Sequence, residues 1–500
     1  MGDSQTVIYA LLAILAGVYL FKWKSDPLSH IPTVGGPSAP VVSYLSAINF
    51  LRNPKALLRE GYQRFHGSVF KVALLGQWMV IVSGPKMVDE LRKRPDEELS
   101  FIEGVEETLH TRFMLGREPL DDPFHVDIIK EKLMRSLTAV LPDVIDELRA
   151  AVPDYIHAKD DEWITVNAIQ STLKIVSRAS NRVFVGLPVC RNQEYLDLAI
   201  RFTIDVIKDK VFISFIPESL KVSLGQYFSA VKSTVRQTIP HLKPLLDERR
   251  AKLEEFGDDY PEKPNDMLQW ILEGSIPRNY SDVQIIERIM LVNFAAIHTS
   301  SNSIAHALLD LAAYPEYIQP LREEIEGIIS AEGWSKAAMG KMWKVDSFLR
   351  ESQRINGIGL TSVTRKTLTD ITLNDGTFIP KDTLIVAASY PTHYDDAIYE
   401  NAETFDPFRF SRMREGDGEG TKHQFVNTSI EYIPFGHGKH ACPGRFFAAN
   451  ELKAMLAFIV LNYDLKLAND APRPENRCFG AAIIPDPTAE IMFRKRQTNA

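Results

Sequence analysis

Cysteine is scarce: Cys190, Cys442 and Cys478 are the only three in 500 residues. They lie far apart and form no Cys-x-x-Cys pair, which excludes a zinc ribbon or a redox dithiol. Free thiols in so long a chain suit a reducing compartment. Positive charge is not in excess: 57 Lys and Arg stand against 65 Asp and Glu, a net charge of −8, so there is no general basicity for nucleic acid. Internal repeats and long linkers are missing from about residue 50 onward. Apolar residues make up 45%, enough to enclose a large cavity.

Long apolar runs are also missing, with one exception. Val7 to Phe21 reads VIYALLAILAGVYLF, without charge or proline, and Lys22, Trp23 and Lys24 follow. The run falls short of the ~20 residues that cross a bilayer, but Thr6, Trp23 and the reach of the lysines extend it. A cleaved signal peptide wants a positive start and small residues at its end; here MGDSQT carries Asp3 and FKWKSD follows. A core helix at an extreme terminus, against a sharp charge boundary, is the weaker alternative. Residues 1–24 are therefore expected to form a single membrane anchor. The lysines behind it place the remainder on the cytosolic side, which discounts the sequons at Asn279 and Asn427. Residues 25–45, with IPTVGGPSAP at their centre, are expected to be a stiff linker, and 46–500 one catalytic domain.

Three- and four-residue apolar spacing predicts helices over Ile128 to Leu148, Ile164 to Val185, Val283 to Ala313 and Arg445 to Leu461. Hairpins are predicted at Val69 to Val82, about Gly76-Gln77, and at Ile371 to Ile379, about Asn374-Asp375-Gly376. Ser411 to Asn427 reads as a polar surface loop. The fold class expected is mainly α with small β-sheets.

The most informative stretch is Phe435-Gly436-His437-Gly438-Lys439-His440-Ala441-Cys442-Pro443-Gly444. Its glycines allow tight turns and close approach to a flat ligand. A strong helix pattern follows, with Pro443 near its first turn, so Cys442 sits at a helix N-terminus. The dipole and loop amides there favour the thiolate. A lone cysteine is usually a small buried hydrophobe; the glycine frame points instead to a ligand.

This stretch resembles the cytochrome P-450 signature, Phe-x-x-Gly-x-x-x-Cys-x-Gly. Glu351-Ser352-Gln353-Arg354 matches the family's Glu-x-x-Arg, and Phe405-Asp406-Pro407-Phe408-Arg409-Phe410 its Phe-x-Pro-x-Arg-Phe. The order and gaps agree over almost the whole chain. The resemblance implies haem b between a long distal helix and the cysteine loop, its iron ligated by the Cys442 thiolate. It implies a Glu351–Arg354–Arg409 network behind the proximal side, haem contacts from Phe435, Gly438 and Gly444, and propionate partners in Arg365 and His440, with Lys439 beside them. The family's Trp-x-x-x-Arg motif is absent; His125, Lys130 and Arg135 lie in that region without a choice between them.

On the distal helix, Ala295 and Ala296 leave room for dioxygen, and Thr299 stands at the position of the family's oxygen-activating threonine. His298 replaces the usual acid, and three roles stay open for it: proton relay, substrate contact or structural histidine. Thr299 can also bond back to its own helix. Ile358, Gly359, Leu360 and Ala481 are the expected substrate walls, apolar and uncharged.

AAIHTS, FLRESQR, FGHGKHACPGRFFAANE and AAIIPDP resemble the fungal ent-kaurene-oxidase-like branch. That branch implies hydroxylation of a terpenoid or steroid with O2, in secondary metabolism or xenobiotic oxidation. No flavin or nicotinamide motif is present, so NADPH-derived electrons are expected from a separate flavoprotein reductase docking near Lys439, Arg445 and Lys453. The anchor implies the endoplasmic reticulum membrane. Two alternatives remain: a haem isomerase or dehydratase acting without NADPH, and a silent haem sensor or carrier.

Overall fold

A computed structural model describes residues 13–497, apart from 15, 19, 22, 160 and 161. The expected anchor falls largely outside the described residues; among those described, no helix is long and apolar enough to cross a membrane.

A five-stranded sheet forms one side of the body. β1 (Val69–Leu74) and β2 (Gln77–Val82) make the predicted hairpin, with the turn at Leu75-Gly76, one residue earlier than expected. β3 (Leu99–Ser100), β4 (Thr361–Thr367) and β5 (Leu384–Ala388) complete the order β1-β2-β5-β4-β3. β2 and β5 run parallel, and their apolar side chains fill two satellite cores. β4 is bulged against β5 between Ser362 and Arg365, where Val363 takes φ 52°. A β-branched residue adopts that conformation only under constraint, and a bulge re-aims the side chains beyond it.

The helical part is built round α5 (Asp282–Ala313). α1 (Met134–Tyr155) packs on α2 (Ala168–Phe184), α2 on α5, and α3 (Gln193–Ser214) and α4 (Ala230–Phe256) on each other and on α5. α6 (Trp343–Ile355) and α7 (Arg445–Asn462) close the other side. α5 begins in a capping box, with Ser281 and Gln284 exchanging bonds, and ends just before Tyr314-Pro315. Its 32 residues span about 48 Å, and most of its faces are buried.

Two expectations need correction. The helix predicted from Ile164 starts only at Ala168: Ile164–Asn167 is a strand paired with Glu490–Phe493, and Asn167 caps the helix through Gln170 N–H. The helix predicted from Ile128 is interrupted by a π turn, Ile129–Leu133, before α1. Residues 31–34, within the stretch read as a stiff linker, are held to the body: Val34 N–H bonds to Lys71 O (3.0 Å), Lys71 N–H bonds to Pro32 O (2.8 Å), and Ile31 and Val34 are buried.

Candidate active site

Cys442 leaves the loop one turn before α7, and its N–H bonds to Phe435 O at 2.7 Å. Gly436 and Gly438 take φ 68° and 77°, values that favour glycine; at Gly438 a Cβ would also press on Arg92 at 3.1 Å. At Gly444 a Cβ would meet nothing within 4 Å. Cys442 opens on one side into a cavity of about 420 Å³ and is otherwise enclosed by protein. Burial pushes the thiol up, while the Gly444 and Arg445 amides and the Arg445 charge pull it down. The helix terminus thus acts in the expected direction, but desolvation outweighs it in the free protein.

The cavity contains a strong charge signal. Arg365, just past the bulge, is buried among its lining residues, and its hydrogen bond goes to the Thr364 carbonyl (2.7 Å). No carboxylate pairs with it among the described ion pairs, and burial pushes the guanidinium down to about 10 despite the pull of Asp96. A buried cation without a counter-ion is costly unless an anion completes it. His440 also lines the cavity but is already engaged: its Nε2 is 2.7 Å from Asp96, and its ring stacks on Phe101 at 5.2 Å. Lys439 reaches the same Asp96 at 3.0 Å. Phe435 lines the cavity and packs on the edge of Phe425.

Behind the thiol, Glu351 and Arg354 are fully buried and joined at 2.7 Å through both oxygens. Arg409 Nε lies 3.3 Å from Glu351 Oε1, and Asp406 N–H donates to the same oxygen at 3.0 Å. A larger open cleft of about 1050 Å³, lined by Tyr399 and Arg409, contains no thiol.

On α5, Ala295 and Thr299 form an open stripe, four residues apart, on a mostly buried helix, with Ala296 half-buried beside it; none of the three lines the cavity that Cys442 opens into, where Ala295 and Ala296 were expected. Thr299 Oγ1 donates to Ala295 O at 2.8 Å, the back-bonded arrangement. His298 does not share that stripe. Its Nε2 meets Ile200 O of α3 at 3.1 Å, and burial lowers its basicity. Its described contact is therefore a tie between helices.

Ile358, Gly359 and Ala481 line the cavity. Leu360 does not: it is fully buried in the apolar core beside β1 and β5, while its N–H bonds to Ala481 O. Of the three alternative cations, His125 is half-buried, its shielded Nδ1 without a partner among the described residues, and Lys130 and Arg135 are exposed. Sequence reasoning missed Asp96 and Phe101, which have no local signal because they meet the loop from more than 300 residues away.

A glycine-framed loop with an inward thiol, an uncompensated buried arginine and an open stripe of small residues fits a flat anionic group with one axial sulfur ligand. The chain belongs to the cytochrome P-450 family, whose model, described as Cytochrome P-450, matches residues 34–493. The activity class is monooxygenase. Cytochrome P-450 monooxygenase 151 of Postia placenta is 48% identical over 500 residues, covering 100% of both chains. An ent-kaurene oxidase of Gibberella intermedia is 31% identical, covering 99% of this chain and 94% of its own. In fold, the chain is similar to a retinoic acid-bound cyanobacterial CYP120A1, with TM-score 0.68 and 20% identity over 93% of this chain and 99% of that one.

Proposed function

We propose that the protein hydroxylates a bulky apolar terpenoid or steroid, using O2 and NADPH-derived electrons passed on by a separate flavoprotein reductase. The observation that carries this reading is the Cys442 thiol opening into a cavity that also contains the guanidinium of Arg365, which has no carboxylate partner among the described ion pairs. Haem b, when bound, supplies the oxygen-activating chemistry. Cys442 would hold its iron through the thiolate, and Arg365 would meet one propionate. The remaining ring nitrogen of His440 is the second polar contact, with Asp96 orienting the ring. The Thr299 hydroxyl is the proton-bearing group of the open stripe. Its hydrogen is given to the Ala295 carbonyl, and rotation about its Cα–Cβ bond frees it for a bound ligand. Ile358 and Ala481 exclude water, and Gly359 leaves space for substrate bulk.

The terpenoid assignment draws on the apolar walls and on the likeness to an ent-kaurene oxidase; secondary metabolism follows from the same likeness. A place at the endoplasmic reticulum membrane, body toward the cytosol, draws on the Val7 to Phe21 run. Exposed Phe212, Phe215, Tyr227 and Phe228 offer further apolar contact with lipid.

The test is incubation in microsomes with reductase and NADPH against a panel of terpenoids and steroids, with products read by mass. The expected result is NADPH-dependent addition of one oxygen atom. Turnover without NADPH would mark an isomerase or dehydratase, and ligand binding without reductase-dependent oxygen uptake a carrier. Either result overturns the proposal.

A further inference from the structure

Seven and eleven residues beyond Thr299, the same stripe of α5 carries His306 and Asp310, both buried. Asp310 gathers three partners from distant parts of the chain. Ser352 Oγ donates to Oδ2 at 2.5 Å, and Asn356 Nδ2 donates to Oδ1 at 2.9 Å. The third is Arg473, whose Nε donates to Oδ1. The same guanidinium donates to His306 Nδ1 at 3.0 Å, to Asn476 Oδ1 at 2.8 Å and to the Pro474 carbonyl at 3.0 Å. Asn476 in turn donates to Asn356 Oδ1 at 2.8 Å, which closes the ring. His306 accepts at Nδ1, so its proton sits on Nε2, an atom that is buried without a partner. A buried polar network bonded at nearly every atom fixes its members relative to one another.

The ring lies at the root of two cavity walls. Asn356 opens the segment Gly357-Ile358-Gly359; Asn476 immediately precedes the hairpin β6 (Arg477–Phe479) and β7 (Ala482–Ile484), whose turn carries Ala481. The walls bond to each other, Leu360 N–H to Ala481 O at 2.7 Å and Ile483 N–H to Ile358 O at 3.0 Å. Gly357, Gly359, Gly480 and Ala481 have almost no side chain with which to anchor against the core. Their placement therefore depends on their roots: Asn356 is tied to α5 directly at Asp310, and Asn476 is tied to it through the Arg473 guanidinium.

We propose that Arg473 is a positioning residue that holds the β6–β7 wall, and through the bonds between the walls the Ile358 segment, at a set distance from the distal helix, and thereby decides how bulky a ligand the cavity accepts. The inference rests on the haem–thiolate reading of the cavity and adds to it a residue that acts through the walls. Arg473→Gln removes the ion pair and leaves every lining side chain unchanged. Arg473→Lys keeps the charge but not the fork of donors, and reads the same effect where the Gln variant does not fold. Arg249→Gln breaks another buried ion pair, with Asp266 at 2.6 Å, away from the cavity lining, and controls for lost stability alone.

Two measurements decide it. In spectral titrations of the haem-loaded full chain, imidazole and the bulky clotrimazole are the probes. Arg473→Gln is expected to weaken clotrimazole by about tenfold and imidazole by less than about twofold, while Arg249→Gln changes the ratio of the two not at all. In hydrogen exchange on the same proteins, the Leu360 and Ile483 amides are expected to exchange about tenfold faster in Arg473→Gln than in the parent, and unchanged in Arg249→Gln. An unaltered azole ratio with unaltered amides, or equal effects in the Arg249 control, overturns the proposal. Failure of the parent to bind either azole at the iron would instead remove the haem–thiolate reading itself.

Discussion

At Glu451 the burial of a single carboxyl has a readable cost. The side chain lies wholly inside, with Ser180 Oγ at 2.7 Å from Oε1 and no partner for Oε2. Desolvation, opposed only by Ser180, pushes the carboxyl up to about 8. The folded state therefore holds the proton more tightly than the unfolded chain. The resulting stability is fully present below about pH 4 and is lost as the pH rises through about 8. Melting temperatures across that range are expected to fall in the parent relative to Glu451→Gln; parallel curves would contradict this. Such effects were invisible in the sequence, because they depend on what surrounds the residue in space. The cysteine loop was legible, since its glycines, its thiol and the following helix are contiguous. The tie made by His298 and the burial of Leu360 were not, because Ile200 and the core beside β1 and β5 decide them from far along the chain.

Among the elements, α6 and the segment that follows Phe405 depend on each other. Glu351 accepts from Arg354, Arg409 and the Asp406 backbone, all at a buried oxygen pair. Removing one member of a buried ionic group strands the others at a cost of about 3–5 kcal/mol. Glu351→Gln is expected to lower the melting temperature and to reduce haem content on purification, measured as haem per chain; retention of both would count against this network as a support of the proximal side. The Glu-x-x-Arg spacing exposed half of this arrangement, because i and i+3 share a helix face. The hairpins were legible for a similar reason: their turn residues are local signals. The strand Ile164–Asn167 was not, because its partner Glu490–Phe493 comes from the other end of the chain and overrides a helical apolar spacing.

In the whole molecule, an apolar N-terminal run precedes a body with exposed aromatic side chains on and after α3. Deleting residues 1–24 is expected to reduce the fraction that floats with phospholipid vesicles several-fold while the haem spectrum stays unchanged. Equal flotation of both forms would show that the run is not the anchor. The central claim is chemical, and the reduced carbon monoxide difference spectrum tests it most directly. The parent is expected to show the Soret band of a thiolate-ligated iron, and Cys442→His to lose that band in favour of one at the imidazole-ligated position. A parent band at the imidazole position, or a thiolate band that survives in Cys442→His, would contradict the assignment.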